Sequence, residues 1–301
     1  MNITLTGSLG NISRRLAELL LAQGHTVTVV SHNPAKVSAI ELLGAKAAIG
    51  SVEDYDFVRH TFQGADAVYT MVPPDFSVPD YQVFTRTVRH NYAQAIRQTG
   101  VPLVVNLSSI GSALAGTEFL PAYENLEEEL DRLPGLNVLH LRPAGFYSNF
   151  YGSLNLIRQQ GILGNNFDGT VPMLLTDPQD IADAAAQALH AQRIQGSQVL
   201  YVVSDVKTGN EVAQLLGTAI GRPDLQWVAF SDEQLLHTLV HQAGFSKDAA
   251  QHYIVDMGVA IREGVLTKHY AQNTQPVVGK RDFAAFAQVF AGIYAYAGAK
   301  K

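Results

Sequence analysis

The chain has no cysteine. Disulfide stapling and thiolate catalysis are therefore excluded, and the zero count fits a reducing compartment. It also lacks any run of the roughly 18 uninterrupted apolar residues that a membrane span requires, and it enters its first strand with neither a basic flank nor an apolar signal core. A cytoplasmic location with no membrane contact is expected. Lysine and arginine number 21 against 27 aspartates and glutamates, giving a net charge of -6, and they form no blocks. This excludes a sequence-independent grip on nucleic acid, which depends on neutralising phosphates. Internal repeats and low-complexity segments are absent as well.

What is present is a 301-residue chain that is 47% hydrophobic and 16% charged, enough to bury a substantial core as one large or two modest domains. Its most informative stretch runs from Asn2 to Asn33. An apolar run, Ile3 to Leu5, opens into Thr6-Gly7-Ser8-Leu9-Gly10-Asn11-Ile12-Ser13. A helical pattern follows, with Ile12, Leu16, Leu19 and Leu20 at three- and four-residue spacing. Gly24 ends it, and a second apolar run spans Val27 to Val30. Strand, glycine turn, helix and strand form the unit that sets a pyrophosphate at a helix N-terminus. Gly7 permits the sharp turn off the strand, and Gly10 lets the backbone approach phosphates with no Cβ in the way. The third small position is Ser13 rather than Gly or Ala, so the fingerprint reads G-x-x-G-x-x-S. Gly7, Ser8, Leu9, Gly10, Asn11 and Ile12 are the candidates for cofactor contact. The plain alternative is a turn that joins a strand to a helix and binds nothing.

In NAD-preferring units an acid at the end of the second strand accepts hydrogen bonds from the adenosine ribose. Here that strand ends Val29-Val30-Ser31-His32-Asn33-Pro34, with no acid. Donors on Ser31, His32 and Asn33, with Lys36 or Arg14 nearby, suit a 2′-phosphate. NADP, as NADPH, is therefore favoured over NAD. The same residues also read as a turn and N-cap ahead of a helix from Ala35 to Leu43.

Alternation continues through Ala47 to Ile49, Tyr55 to Phe62, Ala67 to Val72, a helix Tyr81 to Gln98, and Leu103 to Leu107. A helix from about Ala122 to Leu133 then leads to a strand Asn137 to Leu141. The fold class is α/β, a Rossmann doubly wound parallel sheet with helices on both faces, followed by a smaller, mainly helical C-terminal lobe. The expected division is 1-150 for the nucleotide-binding domain and 151-301 for the lobe, with a strand near 198-204 free to rejoin the sheet. Beyond Thr208 the helical patterns are Glu211 to Ile220, Asp232 to Ala243, Lys247 to Glu263 and Arg281 to Tyr296.

With these residues placed, the chain resembles the NmrA-like branch of the atypical short-chain dehydrogenase/reductases over nearly its whole length. The resemblance is carried by Thr6-Gly7-Ser8-Leu9-Gly10, by Met71-Val72-Pro73-Pro74, by Leu107-Ser108-Ser109, and most specifically by Leu141-Arg142-Pro143-Ala144-Gly145-Phe146-Tyr147-Ser148-Asn149-Phe150. Asp180-Ile181-Ala182 and Ile220-Gly221-Arg222-Pro223 add to it. The family includes NAD(P)H-dependent reductases, quinone reductases among them, and proteins that bind the dinucleotide without turning it over and report redox state.

The resemblance also implies a catalytic pattern, in which the wider superfamily pairs a tyrosine acid with a lysine four residues later that lowers the tyrosine pKa. The nearest candidate here is Tyr123, but four residues on stands Glu127, and no lysine follows. A carboxylate there raises a phenol pKa rather than lowering it. A partly exposed aromatic at the head of an acidic helix is the alternative role for Tyr123. Quinone reduction survives this departure, because hydride transfer needs only a nicotinamide and an acceptor stacked in a dry pocket, with protons from water or a weak donor.

The pocket is expected beyond the C-terminal ends of the strands. Met71, Val72, Pro73, Ser108 and Ser109 are its candidates for cofactor contact, and Phe76, Ile110, Gly145, Phe146, Tyr147 and Asn149 for the substrate pocket. Each has a structural alternative as strand stop, cap, core residue or, for Asn149, orderer of its loop. His237 and His241 lie four apart on one helical face but lack a third ligand of clear spacing, so no metal is expected. Two functions follow as expectations. The first is an NAD(P)H-dependent oxidoreductase reducing a small quinone or carbonyl compound. The second is a non-catalytic redox sensor acting through a protein partner or a change of homo-oligomeric state.

Overall fold

A strand covered on both faces reads as a near-continuous apolar run, and Ala67-Val68-Tyr69-Thr70, buried throughout, is such a strand. The computed structural model describes residues 1–298. It opens with β1 (Asn2–Leu5), α1 (Ser13–Ala22), β2 (Thr26–Ser31), α2 (Val37–Leu42), β3 (Lys46–Ile49) and α3 (Tyr55–Phe62). β4 (Ala67–Thr70), α4 (Tyr81–Thr99), β5 (Leu103–Leu107), α5 (Glu127–Asp131) and β6 (Asn137–Pro143) complete the alternation.

The remaining elements are β7 (Gly145–Phe146), α6 (Leu154–Gln160), β8 (Ile162–Asn165), β9 (Pro172–Thr176), α7 (Pro178–Ala191), β10 (Ser197–Val202) and β11 (Asp205–Thr208). They continue with α8 (Gly209–Ala219), β12 (Gln226–Ala229), α9 (Asp232–His241), α10 (Lys247–Ala249), α11 (Asp256–Arg262), α12 (Val265–Ala271), β13 (Val277–Val278) and α13 (Phe283–Gly298).

Eight parallel strands form one sheet in the order β13-β10-β6-β5-β4-β1-β2-β3. This is the doubly wound order, extended past β6 by β10 and β13. Leu16, Ala17 and Leu20 of α1 and Ile181, Ala185 and Leu189 of α7 bury one face, while Val58, Phe62, Val88, Tyr92 and Leu130 bury the other. A second core gathers Tyr147, Phe167, Leu216, Phe283, Phe286 and Phe290. A three-stranded sheet, β11-β9-β7, and the parallel pair β8 and β12 frame that region.

Two expected helices differ. The helix drawn from Ala122 to Leu133 is only α5. Asn125 Oδ1 accepts from the Glu127 amide at 2.9 Å and Asn125's carbonyl accepts from Arg89, so residues 123–125 are spent on side-chain contacts rather than a helical turn. The run Lys247 to Glu263 is broken by a π-helical turn, Ala250–Val255, between α10 and α11. Asn166 Nδ2 reaches the Val255 carbonyl at 3.0 Å, an insertion of the kind that disrupts an α-helical ladder.

Candidate functional site

Parallel strands deliver their following loops to one edge of the sheet, where an α/β protein binds its ligands. The loop after β1 is shaped by contacts that demand glycine. A Cβ on Gly7 would sit 2.0 Å from Ser13 Oγ and 3.2 Å from Met71 Cγ, so Gly7 is what lets the buried Ser13 tuck against the strand. Ser8 adopts φ +51°, a left-handed conformation that costs a non-glycine residue energy. It is held by its N–H donating to the Val30 carbonyl at 3.0 Å and by its hydroxyl on Ser31 Oγ at 3.1 Å. Gly10 is exposed, and a Cβ there would meet only the Gly7 carbonyl, at 3.3 Å. Leu9 packs on the main core and Asn11 is exposed. α1 starts after Ile12 with no side-chain cap and no acid in its first turn. An uncapped helix N-terminus behind a turn with no side chain at Gly10 fits the pyrophosphate of a dinucleotide.

At the end of β2 the Ser31 hydroxyl is buried and also accepts from the Asn33 amide at 3.2 Å. Asn33 Oδ1 caps the 3₁₀ turn Pro34–Lys36 through the Ala35 amide at 2.9 Å. His32, Asn33 and Lys36 are all exposed. After β4, Met71 is fixed on both sides: its N–H donates to Thr6 Oγ1 at 2.9 Å, and its carbonyl accepts from Tyr92 at 3.1 Å. Val72 packs on the second face of the sheet, and Pro73 is partly buried. Phe76 stacks on Phe245 with ring centroids 4.9 Å apart and lies 5.2 Å from Tyr81.

After β5, Ser109 caps the 3₁₀ turn Ile110–Leu114 by accepting from the Gly111 amide at 3.1 Å. The Tyr123 phenol lies beside the Ser109 and Ser112 hydroxyls, so the structure brings these residues together. Burial, chiefly, with Tyr253 and Glu127 nearby, pushes that phenol up to about 12 against the opposing pull of the two serines. Glu127 itself is buried. It accepts from Ser108 Oγ at 2.5 Å and from Arg142 Nε and Nη2 at 2.9 and 2.5 Å. Arg142 continues to the Tyr201 hydroxyl at 3.2 Å, and Tyr201 to His269 Nε2 at 3.0 Å. The residue standing where the superfamily has lysine is therefore the tie between β5, β6 and β10.

Other sequence candidates lie elsewhere. Ile110 is buried in a core cluster with Leu120, Ala144 and Tyr201. Tyr147 is fully buried between Phe283 and Phe286, its hydroxyl donating to the Arg281 carbonyl at 2.7 Å. The 3₁₀ stretch Tyr147–Ser153 turns that ring inward, so neither residue walls an open pocket. Gly145 and Asn149 are exposed, and Phe146 packs on the main core. Asp180 accepts from Ser204 Oγ at 2.7 Å and from the Lys280 and Arg281 amides at 2.9 and 3.1 Å, a structural hub. His237 and His241 are exposed with rings 4.5 Å apart, and no group of three or more His, Cys, Asp or Glu suited to a metal occurs among the described residues. The reading from sequence missed Tyr81, Tyr253 and Met257. Their approach to Tyr123 and Gly111 depends on packing between distant segments, which no local pattern records.

No helix among the described residues is long and apolar enough to cross a membrane. The NAD(P)H azoreductase of Xenophilus azovorans is 26% identical over 243 residues, covering 77% of this chain and 78% of that protein. An NADPH-dependent quinone oxidoreductase of Escherichia coli, solved with NADPH, superposes with a TM-score of 0.76 at 17% identity, covering 96% of this chain and 99% of that one. A triphenylmethane reductase of Citrobacter sp., solved with NADP(H), gives 0.74 at 18% identity, with coverage of 96% and 99%. The family model for NAD(P)H-binding matches residues 7–192, which run from the glycine turn through β2 to β6 of the doubly wound unit to α7. The chain belongs to the NAD(P)H-binding family.

Proposed function

We propose that the protein is an NADPH-dependent oxidoreductase that reduces a small planar quinone or carbonyl compound. The observation that carries this reading is the turn from Gly7 to Ser13, whose glycines leave the uncapped N-terminus of α1 open to a pyrophosphate. The amides of Asn11 and Ile12 would hold that group. Exposed donors at His32, Asn33 and Lys36, with no acid at the end of β2, favour a 2′-phosphate and hence NADPH over NADH. Met71, Val72, Pro73, Ser108 and Ser109 would flank the nicotinamide end, with Phe76 on the acceptor side. When bound, the reduced cofactor would supply a hydride, and the acceptor would take its proton from solvent, because a phenol pushed up to about 12 is a weak acid at neutral pH. Consumption of NADPH across a panel of quinones and enones, followed at the cofactor's absorbance, tests this; no oxidation with any acceptor would refute it.

A second reading has its own observation. With Glu127 committed to Arg142 where a catalytic lysine would stand, the fold would also serve a redox sensor that binds dinucleotide and changes its association with a partner or a second copy. Such a sensor discriminates oxidised from reduced cofactor or changes assembly on adding it. Equal affinity with unchanged assembly would exclude it.

A further inference from the structure

The π-helical turn Ala250–Val255 lies far in sequence from the turn after β5, yet the segment it opens packs against that turn. Tyr253 sets its ring 5.5 Å from Tyr123 and edge-on to Tyr81 at 4.7 Å. Met257, four residues later, lays its Cε directly on the turn after β5: a Cβ on Gly111 would lie 2.8 Å from it. A single segment thus brings an aromatic face to Tyr123 and a flexible thioether to Gly111. π-turns are rare and concentrate at functional sites, and thioethers adapt to flat rings.

The turn is built on purpose-fitted contacts. Asn166 is 2% exposed and donates from Nδ2 to the Val255 carbonyl at 3.0 Å and to Asp232 at 2.8 Å. Its Oδ1 has no hydrogen-bond partner and lies so close to Gly258 that a Cβ there would sit 1.7 Å away. Arg262 adds a bond to the Asn166 carbonyl at 2.9 Å. A buried amide inserted against a glycine fixes where the helix departs from α geometry, and so where Tyr253 and Met257 point.

We propose that Tyr253 and Met257 form the acceptor-facing wall of the site and select flat, aromatic acceptors over small or aliphatic ones, with Asn166 as the residue that positions them. This rests on the oxidoreductase reading above and names its substrate class.

The test compares 2-methyl-1,4-naphthoquinone with 1,4-benzoquinone in the wild type, Tyr253→Leu, Met257→Ala and Asn166→Ala. Steady-state KM and kcat are measured, together with calorimetric titration of each quinone into NADP⁺-loaded protein. Tyr253→Leu and Met257→Ala are expected to weaken the naphthoquinone about five- to tenfold in both readouts, the worth of a lost ring contact. NADPH affinity should stay within about twofold of wild type, and the benzoquinone KM should rise less than the naphthoquinone KM, the smaller ring having less face to lose. Asn166→Ala should raise the naphthoquinone KM with kcat retained. Equal losses for both quinones, or unchanged naphthoquinone affinity in both wall variants, would overturn the inference. A wild type that binds neither quinone would overturn it too. Binding without turnover would instead refute the oxidoreductase reading, and the titrations alone would then decide the wall.

Discussion

Glu127 stands four residues after Tyr123, the place of the superfamily's lysine, and does the opposite of what a lysine would do there. Its carboxylate contributes to raising the phenol, after burial and Tyr253, and its own oxygens are taken by Ser108 and Arg142. A phenol held near 12 is a poor acid at neutral pH. Tyr123→Phe is therefore expected to lower kcat/KM for a quinone less than about tenfold, against the 10² to 10⁴ that a positioned general acid contributes. The wild-type pH profile should show no inflection from Tyr123 between pH 6 and 9, a span below the phenol's range. A thousandfold loss would restore Tyr123 as the acid. The missing lysine was legible in the sequence, whereas the partnership of Glu127 with Arg142 was not, because it joins α5 to a strand through a contact between separate elements.

Packing of α1 on β1 turns on Gly7 and Ser13. A methyl at Gly7 meets Ser13 Oγ at 2.0 Å, and the serine is buried. Gly7→Ala is expected to cost about 1 to 3 kcal/mol of stability by overpacking, and Ser13→Gly in the same chain should recover most of it. Urea denaturation of the single and double variants checks this, and additive losses would deny the contact. The elements themselves follow their patterns closely where periodicity is strong: Tyr55–Phe62 and Leu103–Leu107 appear with the expected bounds. They depart where a side chain from elsewhere intervenes, as Arg89 does at Asn125 and Asn166 at Val255. Tyr147 shows the same limit in the site: beside an exposed glycine and asparagine it reads as a pocket wall, but the second core claims it.

Across the whole molecule, Asp180 joins α7 to the segments at Ser204 and at Lys280 and Arg281. Burial opposes its ionisation, but the Ser204 hydroxyl, two amides and the Arg281 guanidinium outweigh this and hold its pKa below the ordinary aspartate range. A carboxylate depressed in the folded state stabilises fully above its unfolded pKa and loses that contribution as pH falls through its folded value. Asp180→Asn should therefore flatten the fall in melting temperature below about pH 4, while lowering stability at pH 7. An unchanged acid limb would show that this hub does not govern acid unfolding. The central claim is that the turn from Gly7 to Ser13 holds a dinucleotide, and calorimetric titration of NADPH, beside NADH, NADP⁺ and NAD⁺, into wild type and Gly10→Val tests it most directly. The account predicts micromolar or tighter NADPH binding, weaker NADH binding, and a loss of at least about tenfold in the folded variant, whose side chain fills the phosphate path. Heat from none of the four, or equal affinity in Gly10→Val, would contradict it.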